Sequence, residues 1–208
     1  ASLRPIRADQ VAAGIEVLPR PDVLLRVEAY AKRYRDYPAR VWRPQAVLAP
    51  TGFEDAITDI PFGLEPLVSE GRGTVTGVEL LAQKRFSEVP LYGLASLSLS
   101  RARFTGLDGI ERPGAFDVPV IATLTGGYRF NARWEVSAKW RVSSGFPTTP
   151  FLTKGPDAGQ LDFARYGEGP RLPVFHALDA RVERRWSARG TQIGLYLDVQ
   201  NLYARKNR

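Results

Sequence analysis

The sequence predicts an all-β protein: an antiparallel, up-and-down run of about eight strands suited to a transmembrane β-barrel. Three observations predict it. Apolar and polar residues alternate with period two in segment after segment. Tight turns alternate with long loops along the chain, and large aromatic residues flank the tight turns.

The segments follow in order. Val11, Ala13, Ile15 and Val17 oppose Gln10 and Glu16, and Leu25, Val27, Ala29 and Ala31 oppose Arg26, Glu28, Tyr30 and Lys32. Val78, Leu80 and Ala82 oppose Glu79 and Gln83; Leu91, Ala95, Leu97 and Leu99 oppose Ser96, Ser98 and Ser100. Val120, Ala122 and Leu124 oppose Thr123 and Thr125, with Ile121 as an exception. The clearest case is the sixth, where Trp134, Val136, Ala138, Trp140 and Val142 interleave with Glu135, Ser137, Lys139, Arg141 and Ser143. A helix would scatter these two sets around its axis; a strand sorts them onto two faces. Leu178, Ala180 and Val182 then oppose Asp179, Arg181 and Glu183, and Ile193, Leu195, Leu197 and Val199 oppose Gln192, Asp198 and Gln200.

Short connections are expected at Pro19–Asp22, Ser87–Pro90, Asn131–Arg133 and Ser187–Gly190, and long ones at Asp36–Glu70, Phe104–Asp117 and Gly145–Arg171. In an up-and-down meander every second connection lies at the same end, which gives the short periplasmic turns and long extracellular loops of an outer-membrane barrel. Phe86 and Tyr92, Phe130 and Trp134, and Trp186 flank three of the tight turns, as an aromatic girdle at the headgroup level would. Glu79, Gln83, Glu135, Lys139, Arg141, Asp179, Arg181 and Glu183 then point to a polar lumen, because a basic side chain at the bilayer midplane costs about 2–4 kcal/mol. A soluble sandwich would show the same alternation with the faces exchanged. Strand length separates them: soluble strands run to about five or six residues, whereas a tilted membrane strand needs about nine to eleven.

Composition narrows the function. The 208 residues contain no Cys and a single histidine, His176, so zinc, iron–sulfur, disulfide and thiol chemistry lack ligands. The net charge of +7 comes from basic residues interleaved with acidic ones, as in Arg181-Val182-Glu183-Arg184-Arg185, and nucleic acid is not an expected partner. No apolar run approaches the roughly 18 residues of a membrane helix. No Met occurs, even at position 1, so the chain is expected to be a processed or partial one.

No catalytic residue, metal site or cofactor is expected. His176 and Asp179 lie an odd number apart on a strand and point to opposite faces, which prevents a Ser–His–Asp relay; G-x-S-x-G, P-loop and H-E-x-x-H patterns are missing. The loop carboxylates Glu54, Asp55, Asp59, Asp157 and Asp162 lack the spacing of a calcium loop and read as solvated charge. Trp42, Arg43, Phe146 and Arg165 are the loop candidates for contact with an extracellular small-molecule or metal-chelate ligand.

Four segments carry a family resemblance: GRGTVTGVELLAQKRF (Gly71–Phe86), VSSGFPTTP (Val142–Pro150), RLPVFHALDARVERRW (Arg171–Trp186) and GLYLDVQNLYARKN (Gly194–Asn207). In content, order and spacing the chain resembles the C-terminal part of the barrel of TonB-dependent outer-membrane receptors. The resemblance implies a bacterial outer-membrane location, a larger barrel of about twenty-two strands, the lipid bilayer and the TonB complex as partners, and uptake of a siderophore, cobalamin or oligosaccharide. It also implies that residues 1–208 are one partial barrel domain, with the plug and the closing strand outside them. Two alternatives stay open on the residues alone: a self-contained small outer-membrane barrel with an adhesive or structural role, and a soluble β-barrel that binds a ligand.

Overall fold

The computed structural model describes residues 3–48 and 66–207. It is one antiparallel sheet of nine strands: β1 (Arg7–Arg20), β2 (Val23–Arg40), β3 (Leu67–Lys84), β4 (Leu91–Thr105), β5 (Glu111–Pro113), β6 (Val120–Arg129), β7 (Trp134–Ser143), β8 (Phe175–Ala188) and β9 (Thr191–Val199). The order is β1-β2-β3-β4-β6-β7-β8-β9, each strand pairing with its neighbour in sequence. β5 extends the same edge of β4, pairing Arg103–Thr105 beyond the stretch that β6 occupies. The sheet does not close on itself among the described residues, as fits part of a larger barrel.

Several strands are longer than the alternation predicts. β2 and β3 each run 18 residues, taking in the two ends of the expected Asp36–Glu70 loop, and β4 runs 15. Apolar alternation marks a strand only while one face meets lipid or a core. Once a strand rises into water on both sides the pattern vanishes while the hydrogen-bond ladder continues. The rising ends are irregular: β2 bulges between Tyr34 and Tyr37, with Asp36 at φ 56° and its carboxylate held by Arg4 at 2.8 Å and Arg7 at 3.5 Å. β5 and a single-turn 3₁₀ helix, Phe163–Arg165, are further elements that periodicity did not reveal.

The tight turns lie together at the opposite end. Between β8 and β9, Arg189 and Gly190 both take positive φ (49° and 82°), the primed two-residue turn whose twist matches its strands. Between β1 and β2, Asp22 accepts from the Ser87 hydroxyl at 2.7 Å and pairs with the Lys84 ammonium at 2.5 Å, tying the first turn to the next. Lys84 and Ser87 hold the Asp22 carboxyl down from 3.8 to about 2. A depressed carboxylate contributes stability in full above its ordinary pKa, and that contribution is lost as pH falls through the folded value. The stability difference between wild type and Asp22→Asn is therefore expected to stay constant from pH 7 to about 4 and to shrink as pH falls toward 2, measured by thermal unfolding across pH. A difference that fades above pH 5 would rule out this tie as its source.

The sheet has no apolar core. Among the described residues only Leu24, Ala39, Ala46 and Ala177 are buried hydrophobics. Trp134, Val136 and Trp140 keep 41%, 37% and 38% of their surface exposed, while on the other face Glu135, Asp179 and Glu183 are covered by the arginines that pair with them. A soluble β-protein shelters its apolar face; this sheet leaves that face uncovered along its length, as a wall that meets lipid does.

Candidate lumen wall and extracellular mouth

Directly paired residues of an antiparallel sheet share a face, so the register assigns every side chain. Gln83 pairs with Leu94, Leu94 with Thr125, Thr125 with Lys139 and Lys139 with Asp179, one row across five strands. Stepping by two from this row reaches Glu79, Glu135, Arg141, Arg181 and Glu183, so all eight residues expected to line a lumen fall on one face. The neighbouring row, Leu25, Ala82, Ala95, Leu124, Trp140 and Leu178, belongs to the other face. That face carries no ionised side chain along Val11–Val17, Val23–Ala31, Val78–Ala82, Leu91–Leu99, Val120–Tyr128, Trp134–Val142, Leu178–Val182 or Ile193–Val199.

The charged face is knit together. Glu135 accepts from Arg129 at 3.0 Å and from the Tyr92 hydroxyl at 2.5 Å, and lies 3.3 Å from Arg185. Arg185 donates onward to Glu183 at 2.7 Å, and Glu183 also accepts from Arg181 at 3.1 Å. Arg181 lies over the Tyr196 ring at 3.8 Å. Arg141 donates to Asp179 at 2.8 Å, whose other oxygen accepts the Asn201 N–H. His176, on the opposite face, meets the Tyr203 hydroxyl at 2.6 Å. Five basic groups (Arg129, Lys139, Arg141, Arg181, Arg185) thus share this region with four carboxylates (Glu135, Asp179, Glu183, Asp198). So nearly balanced a wall offers donors and acceptors to a hydrated solute without a strong field of one sign.

The aromatic expectation divides. Trp134 and Trp186 are on the apolar face, with the Arg184 guanidinium 5.2 and 4.8 Å from their rings, and Phe130 packs edge-on against Tyr128 at 5.0 Å. Tyr92 is a correction: it pairs with Gly127 on the charged face, where its ring covers the glycine and its hydroxyl reaches Glu135. Phe86 also departs from the expected girdle, lying under the charged-face Arg129 at 4.4 Å. Proximity to a turn does not say which face a ring occupies; parity does, and Tyr92 has the parity of Ser96 and Ser98.

At the long-loop end the charged face gives way to rings. Tyr34 and Tyr37 of β2 meet Phe104 of β4 at centroid distances of 6.0 and 5.0 Å. Between them β3 presents Gly73, where an added Cβ would lie 2.4 Å from Phe104, and Gly77 plays the same part under Tyr30. A cavity of about 270 Å³ opens here, bounded by Tyr34, Val75, Phe104, Arg112, Phe116 and Tyr166. The four loop candidates do not converge. Arg43 stacks on Phe163 at 4.2 Å, in the 3₁₀ turn that also holds Arg165, and Arg165 pairs with Glu168 at 3.7 Å. Trp42 is 68% exposed, and Phe146 meets Phe116 at 6.2 Å on another part of the rim.

Beneath these loops Asp117, 1% exposed, accepts the Ala102 N–H at 2.7 Å and the guanidinium of Arg171, with Arg103 at 3.6 Å. Arg171 also donates to the carbonyls of Asp117 at 2.5 Å and Gly145 at 3.1 Å. One carboxylate thereby joins the β4–β6 connection to both ends of the β7–β8 loop. Glu54, Asp55 and Asp59 lie outside the described residues; Asp157 accepts from Gln160, and among the described residues no group of three His, Asp or Glu side chains is placed to hold a metal ion.

An unclosed antiparallel sheet with one uncovered apolar face and one charged face has the build of a membrane barrel wall, and the comparisons identify which kind. The model of the TonB dependent receptor-like β-barrel family matches residues 1–202, and the chain belongs to that family, an outer-membrane one. Among solved structures it is similar to the FrpB iron transporter from Neisseria meningitidis (F3-3 variant), with a TM-score of 0.63 at 19% identity. That match covers 98% of this chain and 28% of FrpB. Comparison with curated proteins found no match.

Proposed function

We propose that this chain forms part of the wall and extracellular mouth of a TonB-dependent transporter, the plug and the rest of the barrel being supplied elsewhere in a longer receptor. The observation that carries the reading is the two-faced sheet: one face uncovered and apolar, the other an interlocked, nearly neutral charged row. Such a row suits the passage of a polar solute of the siderophore, cobalamin or oligosaccharide class past a plug. The solved neighbour is an iron transporter, which makes a ferric chelate the first ligand to try. The faces of His176 and Asp179 support no catalytic role.

Fractionation and uptake test it together. The intact receptor is expected to stay in the membrane pellet through a high-salt wash, to require detergent for release, and to migrate differently on gels before and after heating. Release by salt alone would defeat the barrel reading. Uptake of a labelled ferric chelate that persists undiminished in cells lacking TonB would defeat the transport reading while leaving the barrel intact.

A further inference from the structure

The outward face does not stay apolar to the end of the strands. Stepping by two above the apolar band, β1 shows Asp9 and Arg7, β2 Arg33 and Arg35, β3 Thr76, Thr74 and Arg72, and β4 Arg101 and Arg103. These positions adjoin: Arg33 pairs with Thr74 and Thr74 with Arg103, while Arg101 pairs with Thr76 one step below. Neighbouring strands are about 4.8 Å apart, so the guanidiniums form one patch. Arg103 turns aside to Asp117, Arg35 pairs with Asp9, and Arg7 reaches Asp36. Arg33, Arg72 and Arg101 are exposed and make no ion pair among the described residues. Asp9 is the one carboxylate among these outward positions.

Position gives the patch its partner. It begins one outward residue above Leu99 and Ala31, at the long-loop end, which in an outer-membrane barrel is the extracellular interface. The outward face at that level meets lipid headgroups, not the lumen. A guanidinium presents a planar fork of donors that matches phosphate oxygens in pairs. At the opposite interface Lys84 pairs with Asp22 and Arg184 lies against two tryptophans, and Arg20, exposed and paired across the strands with Val23, has no neighbouring arginine on the outward face with which to form a patch. We propose that Arg33, Arg72 and Arg101 form a docking surface on the outer wall for the phosphorylated headgroups of outer-leaflet lipid. This rests on the barrel's orientation in the outer membrane and is independent of what the lumen transports.

The test uses the detergent-purified intact receptor and three probes: bisphosphorylated lipid A, the same lipid dephosphorylated, and inorganic phosphate. Wild type is expected to bind lipid A saturably by native mass spectrometry and to bind the dephosphorylated form at least tenfold more weakly. The triple substitution Arg33→Gln, Arg72→Gln and Arg101→Gln is expected to weaken lipid A binding at least tenfold with unchanged heat-dependent gel mobility. Removing the same charge from the opposite end, by Arg20→Gln, Arg133→Gln and Arg189→Gln, is expected to change it less than twofold. The corresponding triple Lys substitution keeps charge without the fork and should fall between, which gives a reading even if the Gln variant folds poorly. Equal loss from both ends would overturn the proposal, as would undiminished binding by the Gln variant. Displacement of lipid A by millimolar inorganic phosphate would replace the lipid with a free anion.

Discussion

Asp117→Ala is expected to open the extracellular end of the receptor while leaving its membrane band in place. The substitution deletes the acceptor of the Ala102 N–H and the partner of Arg171, in a site where Asp117 itself is 1% exposed. Removing one side of a buried ion pair costs about 3–5 kcal/mol, because the remaining charge is left without compensation. Arg103 and Arg171 retain 22% and 32% of their side-chain exposure, so water reaches them and the lower end, about 3 kcal/mol, applies. Asp117→Asn keeps an oxygen for the Ala102 N–H and loses only the charge, so about 1.5–2 kcal/mol is expected. The loss should be local, because the ladder of β4 against β6 ends at Leu99 and Val120, short of Asp117. Limited proteolysis on intact cells is the measurement: cleavage within the β4–β6 and β7–β8 loops should accelerate by more than tenfold for the Ala variant, with gel mobility before and after heating unchanged. Cleavage at the wild-type rate would mean that the loops are held by other contacts.

This carboxylate also marks the limit of what the sequence reveals. Parity in eight segments was enough to assign the two faces, because lipid on one side and charge on the other impose a period of two that survives in a single sequence. That the eight lumen candidates share one face was legible for that reason. The extracellular ends of β2 and β3 were not, since water on both sides leaves no period to read. The Tyr34, Tyr37 and Phe104 cluster had a faint signal, in that Tyr30 and Tyr34 recur on the polar parity of β2 and Gly71, Gly73 and Gly77 recur on one parity of β3. Large rings opposite glycines across a strand pair describe a ring lying flat on the wall, but the pairing must be known before the two patterns can be joined. Asp117 and Arg171 are 54 residues apart in separate loops, and nothing local in either segment announces their meeting.

The assignment of the faces has a sharper consequence on one strand. Leu97 and Ser98 are adjacent on β4, and the register sends them to opposite sides: Leu97 pairs with Leu80 and Ala122 on the apolar face, Ser98 with Glu79 and Ile121 on the charged one. Leu97→Arg puts a guanidinium into hydrocarbon within the apolar band, at a cost of about 2–4 kcal/mol. Ser98→Arg puts the same group opposite the Glu79 carboxylate, where an exposed cross-strand pair is worth about 0–1 kcal/mol in its favour. In a soluble protein the penalties would also differ, but the lipid would not matter. In a barrel the Leu97→Arg penalty depends on the bilayer: it should be largest near the hydrocarbon midplane and should fall toward about 0–1 kcal/mol as the substitution is moved up the same face to Arg101, where an arginine already stands. Measuring the unfolding free energy of the intact receptor in phospholipid vesicles, with arginine placed in turn at positions 95, 97 and 99, should trace that gradient, while arginine at 96, 98 and 100 should stay within about 1 kcal/mol of wild type. Equal penalties at odd and even positions would mean that β4 does not divide lipid from lumen, and the two-faced wall on which the transport reading rests would fall with it.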